Sequence, residues 1–122
     1  MPTKPIPDGY SAVTPYLIIK GAAQALGFYQ RVFGARERIR IPGPGDAVMH
    51  AEIEIGDSVI MLADECPQMN ALGPLSLGGS PVLLHLYVPD ADAMFVAAVA
   101  AGAKVEQPME TKFYGDRSGS VV

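Results

Sequence analysis

VTPYLIIKGAAQALGFYQRVFGA, residues 13–35, is the stretch on which the reading of the whole chain turns. Residues 11–19 are rich in β-branched and aromatic side chains and Gly21 ends the run, which predicts a strand leaving through a turn at Lys20-Gly21. Over 22–33 the apolar residues Ala25, Leu26, Phe28, Tyr29, Val32 and Phe33 recur at steps of three and four, the spacing of a helix with one apolar face. Gly34 then stands where a helix commonly ends on a left-handed residue.

The same plan returns in LLHLYVPDADAMFVAAVAAGA, residues 83–103. Residues 82–88 read as a strand, Asp90 or Asp92 can cap a helix over 91–101, and Gly102-Ala103 closes it as Gly34-Ala35 closes the first. Gly34 and Gly102 lie 68 residues apart, and that offset also sets Ala25 on Ala93, Leu26 on Met94 and Phe28 on Val96. Between the copies, RERIRI at 36–41 suits an outer strand and PGPGD at 42–46 breaks it. Residues 47–55 alternate, with Met49, Ala51, Ile53 and Ile55 on one face and Val48, His50, Glu52 and Glu54 on the other. Gly56-Asp57 turns this strand into a hairpin with 58–63. Residues 64–80 hold Pro67, Gly73, Pro74, Gly78 and Gly79 without periodicity and read as a linker, with one short helical turn at 66–70. Past the second helix, strands are expected at 104–107 and 109–114 with Pro108 between them, then a GDRSG turn at 115–119 and a last strand at 120–122.

The expected fold is thus α+β: one domain over 1–122, built of two tandem βαβββ modules whose sheet curves around a cleft. Module 1 spans about 11–63, the linker 64–80 and module 2 about 81–122. The closing strand of module 2 is cut short, as in a chain that continues past Val122.

Charge and composition narrow the function classes. A net charge of −4 with no basic run argues against nucleic acid as a partner. No apolar run approaches the ~20 residues of a spanning helix, and no basic amphipathic helix points to a membrane surface. MPTKPIPDGY at the N-terminus reads as an extended, Pro-rich arm rather than a secretion signal. With one cysteine, Cys66, no internal disulfide forms, which fits the cytoplasm. Cys66 follows Asp64 and Glu65, which disfavour a thiolate, so a nucleophilic role is not expected.

The segments at 13–35, MHAEIEIGDSVIMLADE, LHLYVPDADAMF and FYGDRSG together resemble the vicinal oxygen chelate superfamily of glyoxalases, bleomycin-resistance proteins and dioxygenases, closest to its PhnB-like branch. The resemblance implies paired βαβββ modules forming a half-barrel. It also implies a divalent metal held by a His at the start of each module's first strand and a Glu in each fourth strand. Three of those positions fall on Thr14, Leu83 and Met61, and the remaining one lies past Val122. Thr, Leu and Met are poor ligands for such cations, so the metal site is expected to be lost.

Period-two counting places Thr14, Tyr16, Ile18, His50, Glu52, Glu54, Met61, Ala63, Leu83, His85 and Tyr87 on the concave face. The expected ligand-binding residues are Thr14, Tyr16, His50, Met61, Leu83, His85, Tyr87, Tyr114 and Arg117. Tyr16, Tyr87, Phe113 and Tyr114 offer stacking surfaces, and Arg117 suits a carboxylate or phosphonate. His50, His85 and Glu52 are the catalytic candidates, as an acid–base group or as a relocated metal site. The function expected from these residues and the resemblance is small-molecule binding by a homodimer without a metal cofactor. The alternative is a lyase, isomerase or dioxygenase whose metal sits on His50, His85 and Glu52.

Overall fold

A computed structural model describes residues 4–122, so the first residues of the Pro-rich arm, 1–3, lie outside the described residues. The opening stretch folds into strand β1 (Tyr16–Ile19) and helix α1 (Ala22–Phe33). Gly34 ends the helix at φ 65°, its N–H donating to the Tyr29 carbonyl, which is the left-handed stop that its position predicts. There follow β2 (Arg36–Pro42), β3 (Val48–Ile55) and β4 (Ser58–Asp64), so the first half has the βαβββ order.

These strands form one four-stranded sheet in the order β1-β4-β3-β2. β1 is an edge strand among the described residues and pairs there only with β4, in parallel, from Tyr16 opposite Met61 to Ile19 opposite Asp64. The expected strand over 11–19 therefore begins only at Tyr16: Pro15 carries no N–H to extend the ladder. β2 is the other edge, exposed along its length, as its charge alternation predicts. Helix α1 lies on one face of the sheet. Ala22 and Leu26 pack there with Ala51, Ile53, Ile60 and Leu62 to make the core.

The alternation in β3 is corrected at its start. Val48 is 2 % exposed and joins the core, while Met49 is 63 % exposed. The cause is an irregularity in the β2–β3 register between Ile41 and Pro42, next to the turn, which rotates the first residues of β3 out of the pattern. The Asp64 carboxylate holds this end together. Its Oδ1 accepts from the N–H groups of Gly21 (3.1 Å) and Ala22 (3.0 Å), and its Oδ2 from that of Val48 (2.6 Å). One side chain thereby ties the start of α1, the end of β4 and the start of β3.

The linker carries a 3-10 turn at Pro67–Met69, where a short helical turn is expected, and a one-turn helix α2 (Pro74–Leu77). Glu65 orders it by accepting from the N–H of Gly73 (2.6 Å) and the hydroxyl of Ser76 (2.9 Å).

The second half repeats the plan only in part. Helix α3 (Ala91–Ala100) is followed by β5 (Val105–Thr111) and β6 (Arg117–Val121), a two-stranded antiparallel sheet. Residues 82–88 are not a strand, contrary to expectation; they are largely exposed and have no ladder partner among the described residues. Pro108 does not break the chain into two strands either. It sits inside β5, where the pairing with β6 skips from Gln107 to Glu110, so its missing N–H falls at an existing irregularity. Phe113 and Tyr114 lie in the turn rather than in a strand, and β6 begins earlier than expected, at Arg117. The architecture is α+β with curved sheets, and no closed barrel forms among the described residues.

Asp90 rather than Asp92 is the helix cap, its Oδ1 accepting from the Ala93 N–H at 3.0 Å. Replacing Asp90 by Ala is expected to lower stability by about 1 kcal/mol, measured by urea unfolding. Asp92 instead pairs with Arg117 (2.9 Å), joining α3 to β6.

Candidate functional site

The sheet face opposite α1 carries the chemistry. Strand pairing sets Tyr16, Met61, Glu52 and Ile39 in one row across β1, β4, β3 and β2, with His50 against Ile41 in the next. Tyr16, Ile39 and Ile41 are exposed on this side, so the row is an uncovered, largely apolar surface around one carboxylate.

Glu52 is 6 % exposed and is the buried charged residue among the described residues. A buried carboxylate requires hydrogen-bond donors, and this one has them on both oxygens. The Tyr10 hydroxyl donates to Oε1, and His50 Nε2 lies 2.9 Å from Oε2. On the other side of the imidazole, Nδ1 is 2.8 Å from the Tyr16 hydroxyl.

Burial pushes the Glu52 carboxyl up, but the hydrogen bonds from His50 and Tyr10, helped by the charge of Arg38, hold it below its ordinary value. Glu52 is therefore the ionised acceptor at neutral pH. In its neutral Nε2–H tautomer His50 donates to Glu52 and accepts from the Tyr16 hydroxyl at Nδ1. The result is a directed chain from phenol to imidazole to carboxylate. The hydrogen bond that the Tyr10 hydroxyl donates to Glu52 also pushes the Tyr10 phenol up.

Arg38 completes the surroundings. Its guanidinium lies 4.9 Å from the centre of the Tyr10 ring, its Nη1 donates to the Gly9 carbonyl (3.5 Å), and its Nε is 3.5 Å from Glu54. Arg36 also reaches Glu54, at 2.8 Å. Glu54 is thus engaged with arginines and stands apart from the His50–Glu52 pair.

Of the residues picked from sequence, Tyr16, His50, Glu52 and Met61 come together. Thr14 lies just before β1, its hydroxyl donating to the Ser11 carbonyl at 3.3 Å. Leu83, His85 and Tyr87 lie on the unpaired segment, Leu83 at 82 % exposure, with the His85 and Tyr87 rings against each other at 4.9 Å. Tyr114 packs edge-on against Phe113, and Arg117 is engaged with Asp92. No hydrogen bond or aromatic contact among the described residues links this second group to the first. Nor do three of His, Cys, Asp and Glu gather anywhere among the described residues into a set that could hold a metal, so His85 does not join His50 and Glu52. The positions where the resemblance places metal ligands, Thr14, Met61 and Leu83, supply a hydroxyl turned to its own backbone, a thioether and a hydrocarbon. They do not fit a divalent cation.

Tyr10 and Arg38 are neighbours of the His50–Glu52 pair that the pattern does not reveal. Tyr10 belongs to an aperiodic Pro-rich arm, and β2 carries a register shift between Glu37 and Ile39 that defeats alternate counting. A groove of about 800 Å³ lies elsewhere, bordered by Lys20, Gln24, Arg40, Asp46 and Glu65. Asp64 also faces it, but that carboxylate is already committed to three backbone donors.

The family model for the Glyoxalase/Bleomycin resistance protein/Dioxygenase superfamily matches residues 12–120. An uncharacterised protein of Mycobacterium bovis is 43% identical over 113 residues, covering 90% of this chain and 74% of that protein. A Mycobacterium tuberculosis relative is equally identical, and the match spans 66% of its length. Among solved structures, TioX from Micromonospora sp. ML1 is 27% identical with a TM-score of 0.65, covering 91% of this chain and 86% of TioX. A gene product from Arabidopsis thaliana has a TM-score of 0.71 at 23% identity, covering 92% and 89% of the two chains. FosX, a fosfomycin resistance protein from Listeria monocytogenes, has a TM-score of 0.63 at 16% identity, covering 91% and 82%. The last two likenesses are of fold alone.

Proposed function

Because this chain belongs to the Glyoxalase/Bleomycin resistance protein/Dioxygenase superfamily, we propose that it binds a small molecule on the open face of its four-stranded sheet, without a divalent metal. The observation that carries this reading is the row Tyr16, Met61, Glu52 and Ile39. An uncovered apolar surface there surrounds a single hydrogen-bonded polar chain, the composition of a small-molecule site. Met61 stands where the resemblance places a metal-binding Glu and adds polarizable wall instead. The ligand is an apolar, ring-sized molecule with one polar group, oriented by Tyr16 and His50.

A panel of substituted aromatic compounds is expected to raise the melting temperature of the chain, as any ligand of the folded state does. Met61→Lys, which places a cation in the apolar row, is expected to abolish that rise. A stoichiometric metal in the purified protein, lost in His50→Ala, would instead support the metal-dependent lyase, isomerase or dioxygenase alternative. On the same reading the protein works in the cytoplasm as a homodimer. The exposed β1 and β2 edges and the uncovered apolar side of α3 at Val96 and Val99 support self-association, which equilibrium sedimentation measures.

A further inference from the structure

We infer that Tyr16, His50 and Glu52 form a metal-free proton relay whose outer end, the Tyr16 hydroxyl, takes the proton of a ligand bearing an acidic hydroxyl, a phenol or an enol. This deepens the small-molecule reading above and rests on it.

The exposure of the three side chains follows the order that a relay needs. Glu52 is buried, the His50 side chain is 23% exposed and Tyr16 is 48% exposed, so charge is fixed at the inner end and the outer end is reachable. The links are 2.9 Å from Glu52 Oε2 to His50 Nε2 and 2.8 Å from His50 Nδ1 to the Tyr16 oxygen, both hydrogen-bond distances. The second Glu52 oxygen is occupied by the Tyr10 hydroxyl, which stops the carboxylate from turning away from the imidazole. Other charged groups nearby are Arg38, over the Tyr10 ring, and Glu54, which is engaged with Arg36 and Arg38. A purely structural carboxylate needs no imidazole ending on an exposed phenol, and that extension is what points outward to a ligand.

The step balances without a co-reactant. The ligand O–H bond breaks and its proton passes to the Tyr16 oxygen, while the Tyr16 proton passes to His50 Nδ1. The products are a ligand oxyanion, a neutral Tyr16 that donates to it, and an imidazolium whose Nε2–H rests on the Glu52 carboxylate. An imidazole acceptor suits a donor that ionises not far above neutrality; a carboxylic acid would arrive already ionised. Ile39, Ile41 and Met61 supply apolar surface for the ring that carries the hydroxyl.

4-Nitrophenol tests this on the intact chain, because its ionised form absorbs visibly. Bound to the wild type, it is expected to ionise about one pH unit lower than in water, a tenfold change in the ionised ratio at fixed pH. Tyr16→Phe, at an exposed position, is expected to lose that shift when read at saturating 4-nitrophenol. His50→Gln and Glu52→Gln should lose it as well. Ring-nitrogen NMR of the unliganded wild type should show His50 as the Nε2–H tautomer, with that preference lost in Glu52→Gln. Binding with unchanged ionisation, an unaltered shift in Tyr16→Phe, or an Nδ1–H tautomer overturns the relay and leaves the binding reading intact. Failure of the wild type to bind 4-nitrophenol overturns the proposed ligand class and with it the relay.

Discussion

Leu62→Ala is expected to lower the unfolding free energy by about 2–5 kcal/mol, the range for emptying a fully buried leucine site. Leu62 is completely buried, in a central strand, opposite Leu17 of β1 and Ala51 of β3. Its side chain belongs to the cluster that includes Leu26 of α1, so truncation opens a void between helix and sheet. The sheet cannot move in to fill it, because β4 is hydrogen-bonded on both sides. Met61→Ala, one residue earlier and on the opposite face, should cost distinctly less. Denaturant unfolding of the two variants measures the difference, and equal losses would contradict the assignment of faces.

Asp64→Asn is the second large effect, about 1.5–3 kcal/mol, the value of hydrogen bonds to a charged group. The carboxylate accepts three backbone donors, from Gly21, Ala22 and Val48. An amide keeps one acceptor oxygen and turns an N–H₂ toward either the helix start or Val48, where a donor already waits. The pH dependence distinguishes this from simple misfit. Burial pushes the Asp64 carboxyl up, but the three backbone N–H groups outweigh it and hold the folded value below the ordinary one. A group depressed in this way contributes its stability in full above its unfolded pKa and loses it as pH falls through the folded value. The gap between wild type and Asp64→Asn should therefore be constant near neutrality and close below about pH 4. A gap that persists into stronger acid would show that shape rather than charge sets the loss.

Much of the candidate site was legible because strands impose a period of two. Tyr16, His50, Glu52 and Met61 share a face for that reason alone, and counting along β1, β3 and β4 finds them. Counting failed where the ladder is irregular. Val48 and Met49 exchange roles beside the register shift at Ile41–Pro42, and Arg38 sits at a second shift, between Glu37 and Ile39. Tyr10 carries no periodic signal; what places it is a long-range bond to a carboxylate 42 residues away. The segment 82–88 shows the converse case. Its composition is that of a strand, but a strand exists only where backbone donors and acceptors meet another chain segment, and among the described residues none meets them.

From its sequence alone this protein determines its two long helices and its first hairpin, because apolar spacing, capping residues and glycine stops act within a few neighbouring residues. The boundaries of α1, a capping aspartate before α3 and the outer position of β2 all follow from such local terms. Tertiary structure alone decided which polar side chains face one another. It bound Glu52 to both Tyr10 and His50, turned His50 toward Tyr16, and left His85 outside that group. The physical reason is that a buried carboxylate takes whatever donors the finished packing brings within reach, and reach across a fold is not written in the spacing of residues along the chain.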